Sequence, residues 1–342
     1  MHPFLDRRAF LQTALAAGLP LSAAAAGPLL VNTYGGRWEK YWRNDLLPGF
    51  TRQTGVATTL DISAGGALAS RLRAAGQANP YSVVMMTEVA TSRLRPEGLF
   101  EAIPAAKVPN MANVYPNMRT PGDMGVRGIV STIGLGYRTD LVKTPPKRWA
   151  DLWSNPEFAG KIGLYKSANT AALLFVLLIA RLKAGAEENF DVAFSEIKKL
   201  MPFAQVDWSG TLATLLTRGE VNVAMIDFPE IIALKQKGVP VEMVVPQEGV
   251  VAFEQTFSVL KTAPDKPAAY RYINYILEPQ IQEKMAREFY TSPTTTNATV
   301  PQELQRDVPV NGAKMGSILQ FDWDKIGAHA PTLLDRWNRE MR

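Results

Sequence analysis

The sequence predicts an α/β protein of two lobes, each built on a doubly wound sheet, with two extended crossover segments between them. Three short β-branched runs near the start each hand over to a helical pattern through small polar residues, which is the signature of a parallel sheet. A second series of such units follows residue 145, where the composition changes. Two long apolar segments, 128–136 and 250–260, separate the series and read as strands, not as flexible linkers. A chain of 342 residues has room for both lobes.

In order, a strand over 29–34 ends in Asn32-Thr-Tyr-Gly-Gly36. Trp38, Tyr41, Trp42, Leu46 and Phe50 then recur at helical spacing, and Gly55 stops that helix. A strand over 56–62 leads through Ser63-Ala-Gly-Gly66 into a helix over 67–75, and a strand over 81–86 leads through Thr87-Glu88 into another. Parallel strands of this kind bring Thr33, Tyr34, Ser63, Gly65, Gly66 and Thr87 to one edge, where open α/β sheets bind ligands. Paired glycines let backbone approach a ligand there, and helix N-termini present free N–H groups.

In the second series a strand over 161–165 is followed by Lys166-Ser-Ala-Asn-Thr170 and a helix over 171–183, apolar on all sides and therefore buried. Ser167 or Asn169 caps that helix, Lys166 beside its start favours a negative group, and Thr170 is a further candidate ligand-binding residue. Trp208-Ser-Gly-Thr211 precedes a further helix. The run 221–226 is a buried strand that delivers Asp227 just outside its carboxyl end, and Pro229 and Gly238 bracket the helix that follows. Phe253, Glu254, Gln255 and Thr256 occupy the middle of the second crossing. The tail from 314 holds a closing helix rich in Trp and Leu.

Composition narrows the function. Hydrophobic residues make up 46% of the chain and charged residues 20%, an ordinary globular balance. The net charge of +5 comes from basic residues scattered singly among acids, which argues against a nucleic-acid partner. With no Cys and only His2 and His329, thiolate catalysis, Cys- or His-based metal centres and a Ser/His triad lose their parts. No phosphate loop or nucleophile elbow is present. The first 26 residues read as an export signal. Arg7-Arg8 resembles the twin-arginine pattern, an apolar run follows, and Ala24-Ala25-Ala26 offers a cleavage site near Ala26. A soluble, periplasmic, monomeric protein is expected.

Several segments together resemble the extracellular solute-binding proteins of ABC transporters, type II periplasmic binding fold, in their spermidine/putrescine-binding branch. They are Arg148-Trp-Ala-Asp-Leu-Trp153, Lys198-Lys-Leu-Met-Pro202, Gly219-Glu-Val-Asn-Val-Ala-Met-Ile226, Gly238-Val-Pro-Val241, Pro246-Gln-Glu-Gly249, residues 268–279 and Ser292-Pro-Thr294. The resemblance implies capture of a small-molecule solute without catalysis or cofactor and delivery to an ABC permease in the inner membrane. It divides the chain into a signal (1–26), one lobe (29–133 plus 250–300), a second lobe (134–249) and a C-terminal helical segment (301–342) packed on the lobes.

Against the polyamine-binding pattern, acidic positions are lost where Lys166, Ser167, Asn169 and Thr170 stand and near Gln255, and an acid is gained at Asp227. A long polyamine needs counter-charges at both ends, since an unpaired desolvated ammonium is costly. One carboxylate at Asp227 with Lys166 opposite instead suits an ω-amino acid or an aminophosphonate. Tyr34, Trp38, Trp208 and Phe253 are then candidates to enclose the apolar middle or sit under a cationic head. Thiamine or its phosphate is the alternative ligand. An exported sensor module for a signalling partner is the alternative of another class.

Overall fold

A computed structural model describes residues 27–63 and 65–342, so the predicted export signal and its cleavage site lie outside the described residues. Among the described residues ten strands form the sheet system: β1 (Leu29–Thr33), β2 (Thr58–Ile62), β3 (Val83–Thr87), β4 (Phe100–Glu101), β5 (Val126–Arg138), β6 (Ile162–Tyr165), β7 (Ala204–Val206), β8 (Val223–Asp227), β9 (Val241–Val244) and β10 (Val251–Leu260). Their order is β2-β1-β3-β10-β5-β8-β6-β7, with β4 on β10 and β9 on β5.

Two parallel sets result. β1 lies between β2 and β3, and β6 lies between β7 and β8, all parallel. The antiparallel strands β5 and β10 join them. The first half of β5 contributes Ile129 and Val130 to one apolar core, and its second half contributes Ile133, Leu135 and Tyr137 to the other. The fold is therefore two-lobed, with β5 and β10 as the crossovers that form the hinge. Helix lengths follow local chemistry. The helix Thr170–Ala184 starts where the Asn169 side chain accepts from the Ala171 N–H at 2.9 Å and stops at Gly185, whose φ of 73° suits a left-handed cap. Its residues 171–180 are all buried.

Glycine sets the approach of one helix to the hinge. A Cβ at Gly134 would stand 2.5 Å from the Val244 carbonyl oxygen and 2.6 Å from the Phe228 ring. The helix Phe228–Gln236, which follows Asp227, can press against β5 because that side chain is absent.

The residues before β5, loop-rich by composition, form a chain of short 3₁₀ turns between 105 and 123. One feature adds to the two expected crossings. Ile318 belongs to the core of the first lobe, while Phe321, Trp323 and Trp337 belong to that of the second, so the chain passes between lobes a third time. The passage runs beside β10, with the Leu319 N–H donating to the Val250 carbonyl at 2.8 Å. Periodicity marks residues 314–342 as apolar but cannot say which lobe receives them. No described helix is long and apolar enough to cross a membrane.

Candidate functional site

The parallel register aligns the carboxyl ends of both strand sets on the hinge. Thr33 pairs with Ile62 where β1 and β2 end, and Thr87 at the end of β3 pairs with Gln255 of β10. From the other side Asp227, the last residue of β8, pairs with Ile133 of β5. Gln255 itself pairs with Ile129, so the two lobes' strand ends meet the crossover four residues apart, roughly 13 Å along an extended chain.

On the second lobe, Asp227 occupies the N-cap position of the helix Phe228–Gln236, but its side chain makes no capping bond. It accepts instead from the Tyr165 hydroxyl at 3.1 Å, and that oxygen lies 3.0 Å from Ser209 Oγ. Burial pushes the Asp227 carboxyl above its ordinary range, and the Ser209 and Tyr165 hydroxyls oppose the shift. Glu230, one turn on, is pushed up by burial and by the charge of Asp227. The Tyr165 phenol is raised well above its ordinary value by burial, then by Asp227. A negative potential therefore concentrates at this strand end, which disfavours a second anion and favours a cation.

Alternation along β10 decides which of its residues join the site. Phe253 lies edge-on to Tyr165 with ring centroids 6.5 Å apart, and Gln255 Oε1 accepts from the Tyr34 hydroxyl at 2.5 Å. Glu254, between them, turns to the opposite face and meets Arg127. Burial pushes the Tyr34 phenol above its ordinary value, so it stays a neutral donor. Its ring meets Trp38 edge-on at 5.7 Å, and Trp38 stacks on Phe289 at 4.2 Å. Trp38 thus backs Tyr34 from within the lobe. Thr87, Thr170, Phe253 and Trp323 line a cavity of about 10 Å³ beside Glu254, which brings residues of both lobes together at the crossing.

The remaining predicted residues have these placements. Thr33 Oγ1 is buried at the end of β1 with no hydrogen-bond partner. Thr87 caps the helix Glu88–Leu94 by accepting from the Ala90 N–H at 3.3 Å. Ser63 donates to Asp61 at 2.5 Å, and Asp61 also accepts from Tyr81 at 2.6 Å and Arg71 at 3.1 Å, so this hydroxyl is drawn toward the outer strand. Gly65 and Gly66 open the helix Gly65–Ala75, with φ of 53° at Gly65 and no atom within 4 Å of where a Cβ would stand at either glycine.

Three predicted residues take partners away from Asp227, and a fourth faces solvent. Lys166 reaches Asp207 at 3.7 Å with its side chain 51% exposed. Ser167 donates to Asn338 at 2.5 Å, and Asn169 serves as the helix cap while donating to the Asp207 carbonyl. Trp208 is 70% exposed. Lys166 therefore does not stand against Asp227. Lysine's apolar stem carries its ammonium out to water when nothing anionic draws it inward.

Tyr165, Ser209 and Glu230 join Asp227 without being singled out by any motif in the sequence. Tyr165 carries a readable signal, an aromatic with a polar tip closing a strand at the carboxyl edge. The Ser209 contact does not, because it depends on how the helix Ser209–Arg218 lies over β6.

Two sets of strand ends facing one hinge, lined by aromatic and hydroxyl groups around a partly buried carboxylate, define a two-lobed binding protein for small solutes. The profile of the bacterial extracellular solute-binding proteins matches residues 79–317, and the chain belongs to that family. It is similar to spermidine/putrescine-binding periplasmic protein 1 of Haemophilus influenzae, 27% identical over 285 residues, which cover 79% of this chain and 78% of the relative. It is also similar to the gamma-aminobutyric acid-binding protein of Pseudomonas aeruginosa, 27% identical over 256 residues, 71% of this chain and 70% of that one. Among solved structures, an ABC transporter from Clostridium perfringens matches with a TM-score of 0.80 at 23% identity, covering 92% of this chain and 100% of that one.

Proposed function

We propose that this chain is the periplasmic receptor of an ABC importer, which captures a small solute bearing one amine and hands it, unaltered, to a permease. The lobes would be 29–133 plus 250–300 and 134–249. The observation that carries the ligand class is Asp227, a carboxylate raised by burial, held by hydroxyls, and in no ion pair among the described residues. An ammonium group there would supply the charge partner that Asp227 lacks among the described residues, with the Phe253 ring beside it and Glu230 behind.

The charge inventory favours one amine over two. Glu88 and Glu254 are bound to arginines, and Asp61 is bound to Ser63, Tyr81 and Arg71. Among the described residues, these pairings leave no comparable carboxylate at the first lobe's strand ends for a second ammonium. Its groups at the strand ends are instead neutral: the Tyr34–Gln255 pair, the Thr33 hydroxyl, and the N-terminus of the helix Gly65–Ala75 beyond β2. Such groups suit the carboxylate or phosphonate end of an ω-amino acid or aminophosphonate.

Titration calorimetry of the mature protein against 4-aminobutyrate, 2-aminoethylphosphonate, putrescine and spermidine tests the reading. It expects the zwitterions to bind at least tenfold more tightly than the diamine or triamine. The reverse order would overturn the one-amine assignment, and no binding by any of the four would overturn the amine class.

A further inference from the structure

On β10, alternating with Phe253 and Gln255, Glu254 and Thr256 belong to a second set of charged and polar groups, paired with one another and not with Asp227. Glu254 and Thr256 come from β10, Arg127 from β5, Glu88 and Arg95 from the helix Glu88–Leu94 and its end, and Gln320 and Asp324 from the third passage. The Thr256 hydroxyl donates to Glu88 at 2.5 Å. Arg95 donates to Glu88 at 2.7 Å and to Asp324 at 2.6 Å. Arg127 lies 3.3 Å from Glu88 and 3.2 Å from Glu254 and donates to the Gln320 amide oxygen at 2.7 Å. The Gln320 amide nitrogen donates to Glu254 at 3.2 Å. The side chains of Glu88 and Arg95 are only 1% and 5% exposed.

These bonds join parts of the molecule that the hinge strands do not hold together. The third passage is anchored to the second lobe. Arg181 donates to the Gln320 carbonyl and lies over the Phe321 ring at 4.6 Å, the Asp322 N–H donates to Glu187 at 3.1 Å, and Trp323 and Trp337 are buried in that lobe's core. Its other grip is on the first lobe, through Asp324 on Arg95.

We propose that the third passage is a charged latch between the lobes, and that the Asp324–Arg95 pair with the Gln320–Arg127–Glu254 contacts sets how far the lobes part about β5 and β10. Any opening that moves the helix Glu88–Leu94 away from the second lobe must stretch the Arg95–Asp324 pair or carry the passage with it. Arg95 is committed to Glu88, so a lost Asp324 leaves a buried guanidinium with half its partners.

Glu254 is the adjustable member. Burial pushes its carboxyl up to about 7, with Arg127 opposing the shift and Glu88 adding to it. The charged groups around it are Arg127 from β5, Glu88 from the lobe helix and, through Arg95, Asp324. Gln320, Thr170 and Trp323 are its uncharged neighbours. With all five ionised, three carboxylates face two guanidiniums. A proton on Glu254 balances the set and weakens the hold of β10 on Arg127.

The absence of native cysteine allows a direct test without any ligand, so its result does not depend on the amine-receptor reading. Spin labels at Ala74→Cys on the first lobe and Ala186→Cys on the second report the interlobe distance by pulsed dipolar spectroscopy. Asp324→Asn is expected to lengthen or broaden the distribution by on the order of 2 Å. Glu254→Gln is expected to show at pH 8 the distribution that the otherwise unmodified protein shows at pH 6. An Asp324→Asn distribution identical to that of the parent overturns the latch. A Glu254→Gln protein that keeps the parent's pH response removes Glu254 from its control. Should Glu254→Gln not fold, Asp324→Asn on the partly exposed side of the pair still decides the latch.

Discussion

The Tyr165 hydroxyl donates to the Asp227 carboxylate at 3.1 Å, joining the carboxyl ends of two neighbouring parallel strands 62 residues apart in the chain. The bond aims the carboxylate across the strand end and away from its own helix, whose N–H groups it leaves uncapped. A group held this way is oriented before a ligand arrives, which reduces what binding must order.

Asp227→Asn therefore weakens binding of a cationic ligand by about 2–4 kcal/mol, since the ammonium loses its charge partner while the site keeps its shape. Calorimetry with the tightest ligand of the four-compound panel measures this. An unchanged dissociation constant places the cation elsewhere.

Tyr165→Phe removes the donor but not the ring. Binding falls by about 1 kcal/mol, the net worth of one hydrogen bond, and because the phenol lowers the Asp227 pKa, its loss raises it further. The carboxylate must be ionised to hold a cation, so the acid limb of the pH–affinity profile moves to higher pH in the variant. A limb that stays in place shows that Asp227 is not the group titrating.

Glu254 predicts a pH-dependent stability. Its carboxyl is pushed up to about 7 in the folded protein against an ordinary value of 4.5. The folded state holds that proton more tightly, so this contribution is full below the ordinary value and lost as pH rises toward 7. From pH 8 to pH 6 the protein gains up to about 1 kcal/mol relative to Glu254→Gln, following the linkage of roughly 1.4 kcal/mol per pH unit and proton. Urea unfolding of both proteins at the two pH values reads this difference, and equal slopes with pH contradict it.

Gly134→Ala tests the close packing of helix on hinge. The new methyl meets the Val244 carbonyl and the Phe228 ring, neither on a flexible side chain, and costs about 1–3 kcal/mol. A melting temperature equal to the parent's means that the helix Phe228–Gln236 moves aside freely. Asn169→Ala, by contrast, adds no clash: it removes the cap and the bond to the Asp207 carbonyl and costs about 1 kcal/mol.

Read in order along the chain, local chemistry alone settled a good deal: the succession of strand and helix, the all-round apolar helix Thr170–Ala184, the two long crossover strands, and Asp227 at the end of β8. Each of these is a matter of spacing, caps and breakers within a few residues. The tertiary structure decided which side chains meet: Tyr165 with Asp227, Phe253 inward while Glu254 turns to Arg127, Lys166 out to Asp207, and the tail back across to the second lobe. A hydrophobic period records that one face of an element is covered. What covers it, and which lone charge finds a partner, depends on segments distant in the chain, from the 62 residues between Tyr165 and Asp227 to the 221 between Tyr34 and Gln255.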